Sequence, residues 1–194
     1  MDYLLKHGAN VNGKGKDGMM ALTYVASKGR LELVEYLLSK GADPEEFGPL
    51  DSKGDTFNAL LAAARNGHTE SFKTMLEHGQ VDLERTNSAG ETLLQTCAKT
   101  NQPEVIKLLL KKGAKVNAKR RDGHTALLCA SHNGHVEIVK LLLAYGADPF
   151  ATASHDPDDP DSKDRCGAAD HALERGHLEV YELILKAQSK RIKA

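Results

Sequence analysis

Residues 122–149 read DGHTALLCASHNGHVEIVKLLLAYGADP and carry the strongest fold signal in the chain. A short alanine-containing segment comes first, followed by a glycine, a longer apolar segment and a Gly-Ala pair. The apolar residues of the longer segment recur at helical spacing and cover a wide stripe of a helix. Because glycine accepts a left-handed backbone, Gly134 and Gly146 are placed to end the two segments as turns. The stretch therefore predicts a pair of short antiparallel helices.

The same pattern recurs with a period of about 33 residues. The helix-ending Gly-Ala pair, or a near variant, begins at residues 8, 41, 79, 113 and 146, at spacings of 33, 38, 34 and 33. A second series stands between the helices of each pair at Gly29, Gly67, Asn101, Gly134 and Gly176, and Asn also tolerates a left-handed backbone. First helices are predicted at 20–28, 58–66, 92–100, 125–133 and 167–175. This repetition indicates a stacked-repeat array.

The pattern resembles the ankyrin repeat family over nearly the whole chain. The resemblance implies an all-α solenoid of antiparallel helix pairs joined by β-hairpin-like loops. We expect a single domain, 1–194, with a partial repeat at 1–13 and repeats at about 14–47, 48–85, 86–118, 119–151 and 152–194. Because 2–7 looks like the end of a second helix whose first helix is absent, we expect an excerpt of a longer array, with a natural cap as the alternative.

The family's Thr-Pro-Leu-His start is never complete in this sequence. The threonine survives as Thr92 and Thr125. The histidine place is occupied by other residues, namely Thr23, Leu61, Gln95, Leu128 and Asp170. We therefore expect weaker helix capping and hydrogen bonding in some repeats.

Extra residues fall in the hairpin segments, which project from one edge of such an array. Two hairpins are enlarged, 43–55 and 148–166. The second contains a long acidic loop, 151–165, with the run DPDDPD at 156–161. Such a proline-rich acidic run has no potential to form a core. It is either an acidic flap that contacts a partner or a tolerated loop expansion.

Composition excludes several classes of function. With 26 basic and 27 acidic residues the net charge is −1, which argues against a generic nucleic-acid or membrane-surface binder. No apolar run approaches the roughly 18 residues that a membrane span needs. Three scattered cysteines predict free thiols in a reducing compartment, so we expect a cytoplasmic or nuclear protein. Cys97 and Cys129 fall where small residues pack, whereas Cys166 falls in the long loop, where we expect it to be exposed and modifiable.

No catalytic or metal site is expected. Cys129, His132 and His135 resemble zinc ligands in their spacing, but a zinc site needs four ligands held tetrahedrally. His135 also occupies a place that His68 and His177 share, which indicates a structural role in the repeat. Neither a Ser-His-Asp arrangement nor a phosphate-binding loop is visible, so we expect no catalytic residue, no metal and no cofactor.

The resemblance implies that partners bind along the concave face formed by hairpin tips and first helices, including the two residues before each inter-helix turn. The candidate partner-binding residues are Lys28, Arg65, Asn66, Lys99, Thr100, Arg121, His124, His132, Asn133 and Arg175. Their charges predict a basic groove for an acidic or phosphorylated segment. Ordinary solvated charges are the alternative.

The predicted function is therefore that of a protein-interaction scaffold or adaptor, which we expect to be a monomer that binds a protein or peptide. A regulatory or substrate-recruiting domain of a larger enzyme, in a ubiquitin ligase or kinase pathway, is the first alternative. An RNA or phosphate-ligand binder is the second, and the near-neutral charge disfavours it. The resemblance also implies hydroxylation of Asn12 and Asn117, which have Leu4 and Leu109 eight residues upstream.

Overall fold

The computed structural model describes residues 3, 6–16, 18–48, 58–154 and 165–193. The chain divides into two compact units, residues 1–82 with 87–89 and residues 83–86 with 90–194. Each unit is described by itself below. The predictions of one domain and of its repeat boundaries stay predictions. Parts of the predicted partial repeat and of both enlarged hairpins lie outside the described residues, including residues 49–55 and residues 155–164, which contain the acidic run 156–161.

The first unit contains two helix pairs. They are α1 (Ala21–Ser27) with α2 (Leu31–Ser39) and α3 (Ala59–Arg65) with α4 (Thr69–His78). Helix α1 packs against α3, and α2 packs against α4, so the first helices form one layer and the second helices another. Small buried alanines of α3 let the layers approach closely, while Phe72 and Met75 of α4 fill the space between them.

The second unit repeats this arrangement three times. Its elements are α5 (Leu93–Lys99), α6 (Pro103–Lys111), α7 (Ala126–His132), α8 (Val136–Ala144), β1 (Thr152–Ser154), β2 (Arg165–Gly167), α9 (Ala168–Glu174) and α10 (Leu178–Ile192). Helices α5, α7 and α9 pack in one row, and α6, α8 and α10 pack in the other. The fold class predicted from the sequence is confirmed.

The segment predicted as a long loop, 151–165, is not all loop. Residues 152–154 and 165–167 pair as antiparallel strands, with Thr152 opposite Gly167 and Ser154 opposite Arg165. The backbone N–H of Ser154 also donates to the carbonyl of Asp122, 2.8 Å away. The ends of the enlarged hairpin are therefore held in a two-stranded sheet, and this hydrogen bond links the sheet to the hairpin before it.

The inter-helix turns follow the prediction. Gly29, Gly67, Gly134 and Gly176 all have positive φ, and Asn101 is the only non-glycine residue among those described with a positive φ, at 56°. At most pair ends the glycine is left-handed and the next residue bonds back to the helix, as Ala147 N does to Leu142 O at 3.0 Å. Gly79 differs, because its φ of −162° is extended and carries the chain directly away from α4.

Helix capping is better than the incomplete family motif suggests. Thr92, Thr125 and Asn58 each accept a backbone hydrogen bond at a helix start. Gln95 closes a capping box with Thr92, and its amide also donates to the carbonyls of Ala118 and His124 at 3.0 and 2.8 Å. The expectation of weaker bonding is thus wrong at Gln95, because its amide can accept and donate at once.

The expectation of weak capping holds at two other helices. Met20 and Gly167 begin α1 and α9 without a side-chain hydrogen bond to the helix. At α9, the Asp170 carboxylate instead accepts a hydrogen bond from the backbone N–H of Gly167, at 2.8 Å. None of the described helices is long and apolar enough to cross a membrane.

Candidate partner-binding surface

In the first unit, the predicted residues lie at the carboxyl ends of α1 and α3, which pack side by side. Lys28 is exposed, and its Nζ lies 5.9 Å from the centre of the exposed Tyr24 ring. Arg65 is half-buried at the end of α3. The Asn66 side chain donates to the carbonyl of Ala62 at 2.8 Å, so it closes the helix end as well as facing solvent. The structure therefore groups Lys28, Arg65 and Asn66 on adjacent helix ends.

In the second unit, four of the predicted residues line one pocket. Lys99, His124, His132 and Asn133 surround a cavity of about 160 Å³. Three residues that were not predicted complete its wall: Glu91, Arg120 and Cys129. Helices α5 and α7 supply one side, and the hairpin tip at 120–124 supplies the other. The pocket gives the predicted surface a definite centre.

The charges around this pocket are largely paired with one another. Glu91 Oε1 lies 2.6 Å from Lys99 Nζ and 3.4 Å from Arg120 Nη1. Arg120 also donates two hydrogen bonds to Asp122, one from Nε to Oδ1 at 3.0 Å and one from Nη2 to Oδ2. Both carboxylates are buried. Two positive and two negative charges therefore balance here, and Lys99 adds little net positive charge to a groove.

Sequence reasoning did not find this ion-pair network. Asp122 stands in an Asp-Gly pair and Glu91 just before the Thr92 cap, and no motif marks either of them as an ion-pair partner. In the repeat register set by Thr92 and Thr125, Glu91 corresponds to His124 and Asp122 to Ala89, so the spacing does not predict the pairing. Charge pairing between hairpins of adjacent repeats needs the fold before it can be predicted.

The ionisation of these groups follows from their surroundings. Burial raises the pKa of Asp122, but the hydrogen bonds from Arg120 and from the backbone N–H of His124 outweigh it and lower the pKa to about 2. Burial lowers the pKa of His124 despite the neighbouring Asp122. The pKa of His132 is lowered by burial and by the charge of Arg175. At neutral pH both imidazoles are uncharged and can each donate or accept a hydrogen bond.

A third histidine joins this pair. His171, buried on α9, has its ring centre 5.7 Å from that of His124 and 5.6 Å from that of His132. No sequence motif marks His171 as part of such a cluster. Among the described residues, no group of histidine, cysteine, aspartate or glutamate side chains is arranged to hold a metal ion. The three imidazole rings therefore lie together beside the pocket.

The other residues predicted to bind a partner in the second unit lie at helix ends and at the hairpin tip. Thr100 caps α5, and its Oγ1 donates to the carbonyl of Thr96 at 3.0 Å. Arg121 is exposed at the hairpin tip, and Arg175 is exposed at the end of α9. Asn133 repeats the role of Asn66, with its amide donating to Cys129 O at 2.8 Å. Arg121 follows Arg120, which lines the pocket, and the charge of Arg175 acts on His132, so both exposed arginines lie near the pocket.

The predicted structural role of the shared histidine place is confirmed. His68 Nε2 lies 3.1 Å from the carbonyl oxygen of Ser27, and His135 Nε2 lies 3.2 Å from that of Lys99. Each ring thus reaches back to the preceding repeat and bonds the end of its first helix. His135 is therefore used in repeat stacking and is not a partner for Cys129 and His132.

The thiols behave as expected in two of three cases. Burial raises the pKa of Cys97 and of Cys129 to about 12, so both are unreactive thiols. Cys166 was expected to be exposed in a loop. It lies instead in β2 opposite Ala153 and is half-buried, because the hairpin ends form strands.

The two asparagines predicted as hydroxylation sites make matching contacts. Asn117 Nδ2 donates to Gly146 O at 3.2 Å, and Asn117 Oδ1 accepts from Asp148 N at 2.8 Å. Asn12 makes the same pair of bonds to Gly41 and Asp43, at 3.2 and 2.9 Å. The side-chain amide of each asparagine thus joins one hairpin to the next through two hydrogen bonds. Hydroxylation of either residue stays a prediction.

Comparison with known proteins agrees with this geometry. Family models for ankyrin repeats match residues 1–38 (many copies), 45–120 (three copies) and 122–154 (a single repeat). The chain belongs to the ankyrin repeat family. The pair α9–α10 lies beyond the last match but packs on α7 and α8 as the other pairs do.

Proteins similar in sequence are much longer than this chain. One is the ankyrin repeat and KH domain-containing protein mask-1 of Caenorhabditis elegans, 32% identical over 72% of this chain and 5% of its own length. The potassium channel AKT2/3 of Arabidopsis thaliana is 30% identical over 93% of this chain and 22% of its own length. The E3 ubiquitin-protein ligase KEG of the same plant is 29% identical over 72% and 9%. The chain thus spans less than a quarter of each.

Proposed function

We propose that this ankyrin chain is a non-catalytic protein-interaction module and that the pocket between Lys99 and His132 is the centre of its binding surface. The observation that carries the proposal is the convergence of Lys99, His124, His132 and Asn133, four of the predicted contact residues, on one cavity. Their side chains offer hydrogen-bond donors and acceptors and flat imidazole faces. Such a mixed polar and aromatic lining is suited to holding a peptide segment.

The partner chemistry follows from the charge distribution. Inside the pocket the cations already have carboxylate partners, and the histidines are uncharged at neutral pH. Outside it, Arg121 and Arg175 are exposed. We therefore propose a segment with acidic or phosphorylated residues on both sides of a central uncharged polar or aromatic residue. The central residue enters the pocket, and the flanking anions meet the two arginines.

A role inside a larger protein is the second candidate. Its support is that the chain spans only 5 to 22% of the three relatives named above, one of which is a ubiquitin ligase. In that role the same surface recruits a substrate or a regulator for an activity located elsewhere. A cytoplasmic or nuclear location, based on the free cysteines, remains part of this proposal.

Peptide display against the whole chain supplies the probe that tests the proposed chemistry. We expect the enriched peptides to carry acidic residues on both sides of an uncharged residue. Reversing the outer charges with Arg121→Glu and Arg175→Glu together weakens binding of these peptides at least about tenfold. The matched control is Lys111→Glu with Lys112→Glu, which makes the same charge change at the exposed end of α6 and leaves binding nearly unchanged.

Each outcome of this comparison has a definite meaning. If both double variants weaken binding equally, the attraction depends on net charge and not on the proposed surface. If neither does, the acidic partner is rejected. RNA oligonucleotides of mixed sequence are measured alongside, and binding that falls steeply with salt and is insensitive to His132→Ala favours the nucleic-acid alternative.

A further inference from the structure

A second cavity of the second unit lies between α8 and α10, on the side of the second helices. Its volume is about 440 Å³. Small-molecule sites in proteins commonly have volumes of about 300–1,000 Å³, so the cavity is large enough for a small ligand. Both walls and the floor are apolar, and the apolar lining consists of Leu143, Ala144, Ala147, Pro149, Leu183 and Ala187.

The cavity arises where α10 continues beyond the length of the other second helices. Helices α6 and α8 have 9 residues each, and α10 has 15. Counted from the start of its helix, Ala187 corresponds to Lys112 and Tyr145, the residues at which α6 and α8 end. A small side chain at this place leaves space beside α8. The following turn of α10 is held against the preceding hairpin, because Gln188 Nε2 donates to Pro149 O at 2.8 Å.

Four cations surround the apolar lining. They are Lys140, Lys186, Lys190 and Arg191. Lys140 pairs with Glu179 of α10, with 3.1 Å between Nζ and Oε1. Arg191 pairs with Asp148 of the hairpin, with 2.9 Å between Nη1 and Oδ1. Among the described residues, Lys186 and Lys190 take part in no ion pair, so the cavity has two uncompensated positive charges beside its apolar surface.

The charge and the spacing of these two lysines favour a phosphate monoester as the ligand. Lys186 and Lys190 are four residues apart, so they project from the same side of α10, about 6 Å apart along its axis. Two flexible ammonium groups at this spacing can both reach the oxygens of one phosphate. A phosphate monoester carries a charge of about −1.5 to −2 at neutral pH, which matches the two lysines, whereas a carboxylate or a sulfate ester carries a single negative charge.

The position of the apolar surface favours a soluble ligand over a membrane. Ala147 and Pro149, the deepest apolar residues of the cavity, are buried between the helices. The exposed Leu185 follows Leu183 by two residues, which is about 200° around the helix, so it projects away from the cavity. A flat lipid surface that met the lysines would therefore not reach the apolar lining.

We propose that this cavity binds a soluble phosphate monoester that carries a short apolar group. The phosphate lies between Lys186 Nζ and Lys190 Nζ, and the apolar group enters the space between α8 and α10. Because the walls are already formed, little ordering is needed when the ligand binds. The cavity shares no lining residue with the pocket at Lys99 and His132, so this site is separate from the proposed partner-binding surface.

Isothermal titration calorimetry of the whole chain with hexyl phosphate tests the proposal. We expect one ligand per chain with a Kd below about 1 mM. Inorganic phosphate lacks the apolar group and hexanol lacks the charge, so each should bind at least about tenfold more weakly. Hexyl sulfate has nearly the same shape with a single charge and should bind at least about threefold more weakly. A Kd for hexyl phosphate above about 1 mM, or equally tight binding of any of the three other compounds, overturns the proposal.

Variants of the chain locate the site. Lys186→Gln with Lys190→Gln removes both free charges and should raise the Kd for hexyl phosphate at least about tenfold. The matched control is Lys111→Gln with Lys112→Gln, which makes the same charge change at the end of α6, outside the cavity, and leaves the Kd unchanged. Equal weakening by the two double variants would show that only net charge matters, and the proposed site would then be wrong.

A further variant tests the apolar part of the site without changing any charge. Ala187→Leu keeps a good helix former in α10 and fills the space that the hexyl group needs, so it should raise the Kd at least about tenfold. Circular dichroism checks that each variant is folded. An unchanged Kd for Ala187→Leu would show that the ligand does not enter the cavity.

Vesicle co-sedimentation distinguishes a soluble ligand from a lipid headgroup. With phosphatidylcholine vesicles that contain about 20% phosphatidic acid, we expect the chain to stay in the supernatant. Sedimentation with these vesicles that is lost in the Lys186→Gln, Lys190→Gln variant would identify a membrane surface as the ligand and overturn the proposal.

Discussion

Replacing Asp122 by Asn removes the negative charge at the most buried ion pair of the second unit. The Asp122 side chain is 2% exposed and accepts a forked pair of hydrogen bonds from Arg120. Its Oδ1 also accepts the backbone N–H of His124 at 3.0 Å. An asparagine keeps one acceptor oxygen but turns an NH₂ group toward the guanidinium of Arg120. We expect the hairpin tip to lose its main electrostatic support.

The size of the effect follows from the pKa of Asp122. In the folded chain this pKa is about 2, compared with the ordinary value of 3.8. The difference of nearly two pH units corresponds to about 2 kcal/mol of stability at neutral pH. Because the folded pKa is the lower one, this contribution is present above pH 3.8 and is lost as the pH falls toward about 2. Asp122→Asn should therefore lower the free energy of unfolding at pH 7 by about 2 kcal/mol.

Urea unfolding at pH 7 measures this loss, and Asp148→Asn is the matched control. Asp148 also accepts from an arginine, Arg191, at 2.9 Å, and from a backbone N–H two residues later, that of Phe150, at 3.2 Å. Its side chain, however, is 40% exposed. An exposed pair contributes at most about 1 kcal/mol. The difference between the two variants thus reports the effect of burial together with that of the second arginine hydrogen bond, which only Asp122 accepts.

The pH dependence of the stability difference between wild type and Asp122→Asn tests this interpretation of the ion pair. The gap between wild type and Asp122→Asn should stay constant from pH 7 to 5 and shrink below pH 4, as the wild-type carboxylate takes up protons. If Asp122→Asn costs no more than Asp148→Asn, or if the gap is the same at pH 7 and pH 3.5, burial does not set the strength of this ion pair. The interpretation of the network at the pocket would then be wrong.

Three further predictions concern the frame around the pocket. Gly123→Ala should lower the free energy of unfolding by about 2–4 kcal/mol, because the φ of Gly123 is +91° and the new Cβ would lie 2.8 Å from the carbonyl oxygen of Thr152 in β1. Gly113→Ala is the control, since Gly113 has a φ of +93° but nothing lies within 4 Å of its new Cβ. This variant should lower the free energy of unfolding by only about 1–2 kcal/mol. Gln95→Ala should lower the free energy of unfolding by about 2–4 kcal/mol, since it leaves the backbone N–H of Thr92 and the carbonyls of Ala118 and His124 without their hydrogen-bond partner. Urea unfolding measures all three variants. Thiol reagents at pH 8 should leave Cys97 and Cys129 unmodified until the chain is unfolded, and mass spectrometry of the labelled peptides checks this.

The fold could be predicted because its signal is local and repeated. Each helix pair carries its own apolar spacing and its own glycine turn, so one error in one repeat does not change the conclusion. Asn101 illustrates this, since a single asparagine in a glycine series was enough to predict a left-handed turn that the structure has at φ 56°. Gly79 shows the limit, because a glycine permits a left-handed cap without requiring one.

The candidate site could be predicted only in part. The repeat register gave the positions that face the pocket, and Lys99, His124, His132 and Asn133 do lie together. It did not show which charges remain available, since that depends on contacts between hairpins such as Glu91 with Arg120. A count of basic residues therefore overestimates the positive charge of the surface.

The placement of these buried carboxylates has a consequence for specificity. A partner anion that enters the pocket would have to compete with Glu91 for Lys99 and with Asp122 for Arg120, and both internal pairs are already formed without any ordering cost. Among the described residues, Arg121 and Arg175 are exposed and take part in none of the ion pairs of this network, so a partner anion that meets them does not have to break those pairs. Acidic residues at the centre of a ligand should thus weaken binding while those at its flanks strengthen it. Charge pairing inside the protein would in this way specify where along the ligand a negative charge is accepted.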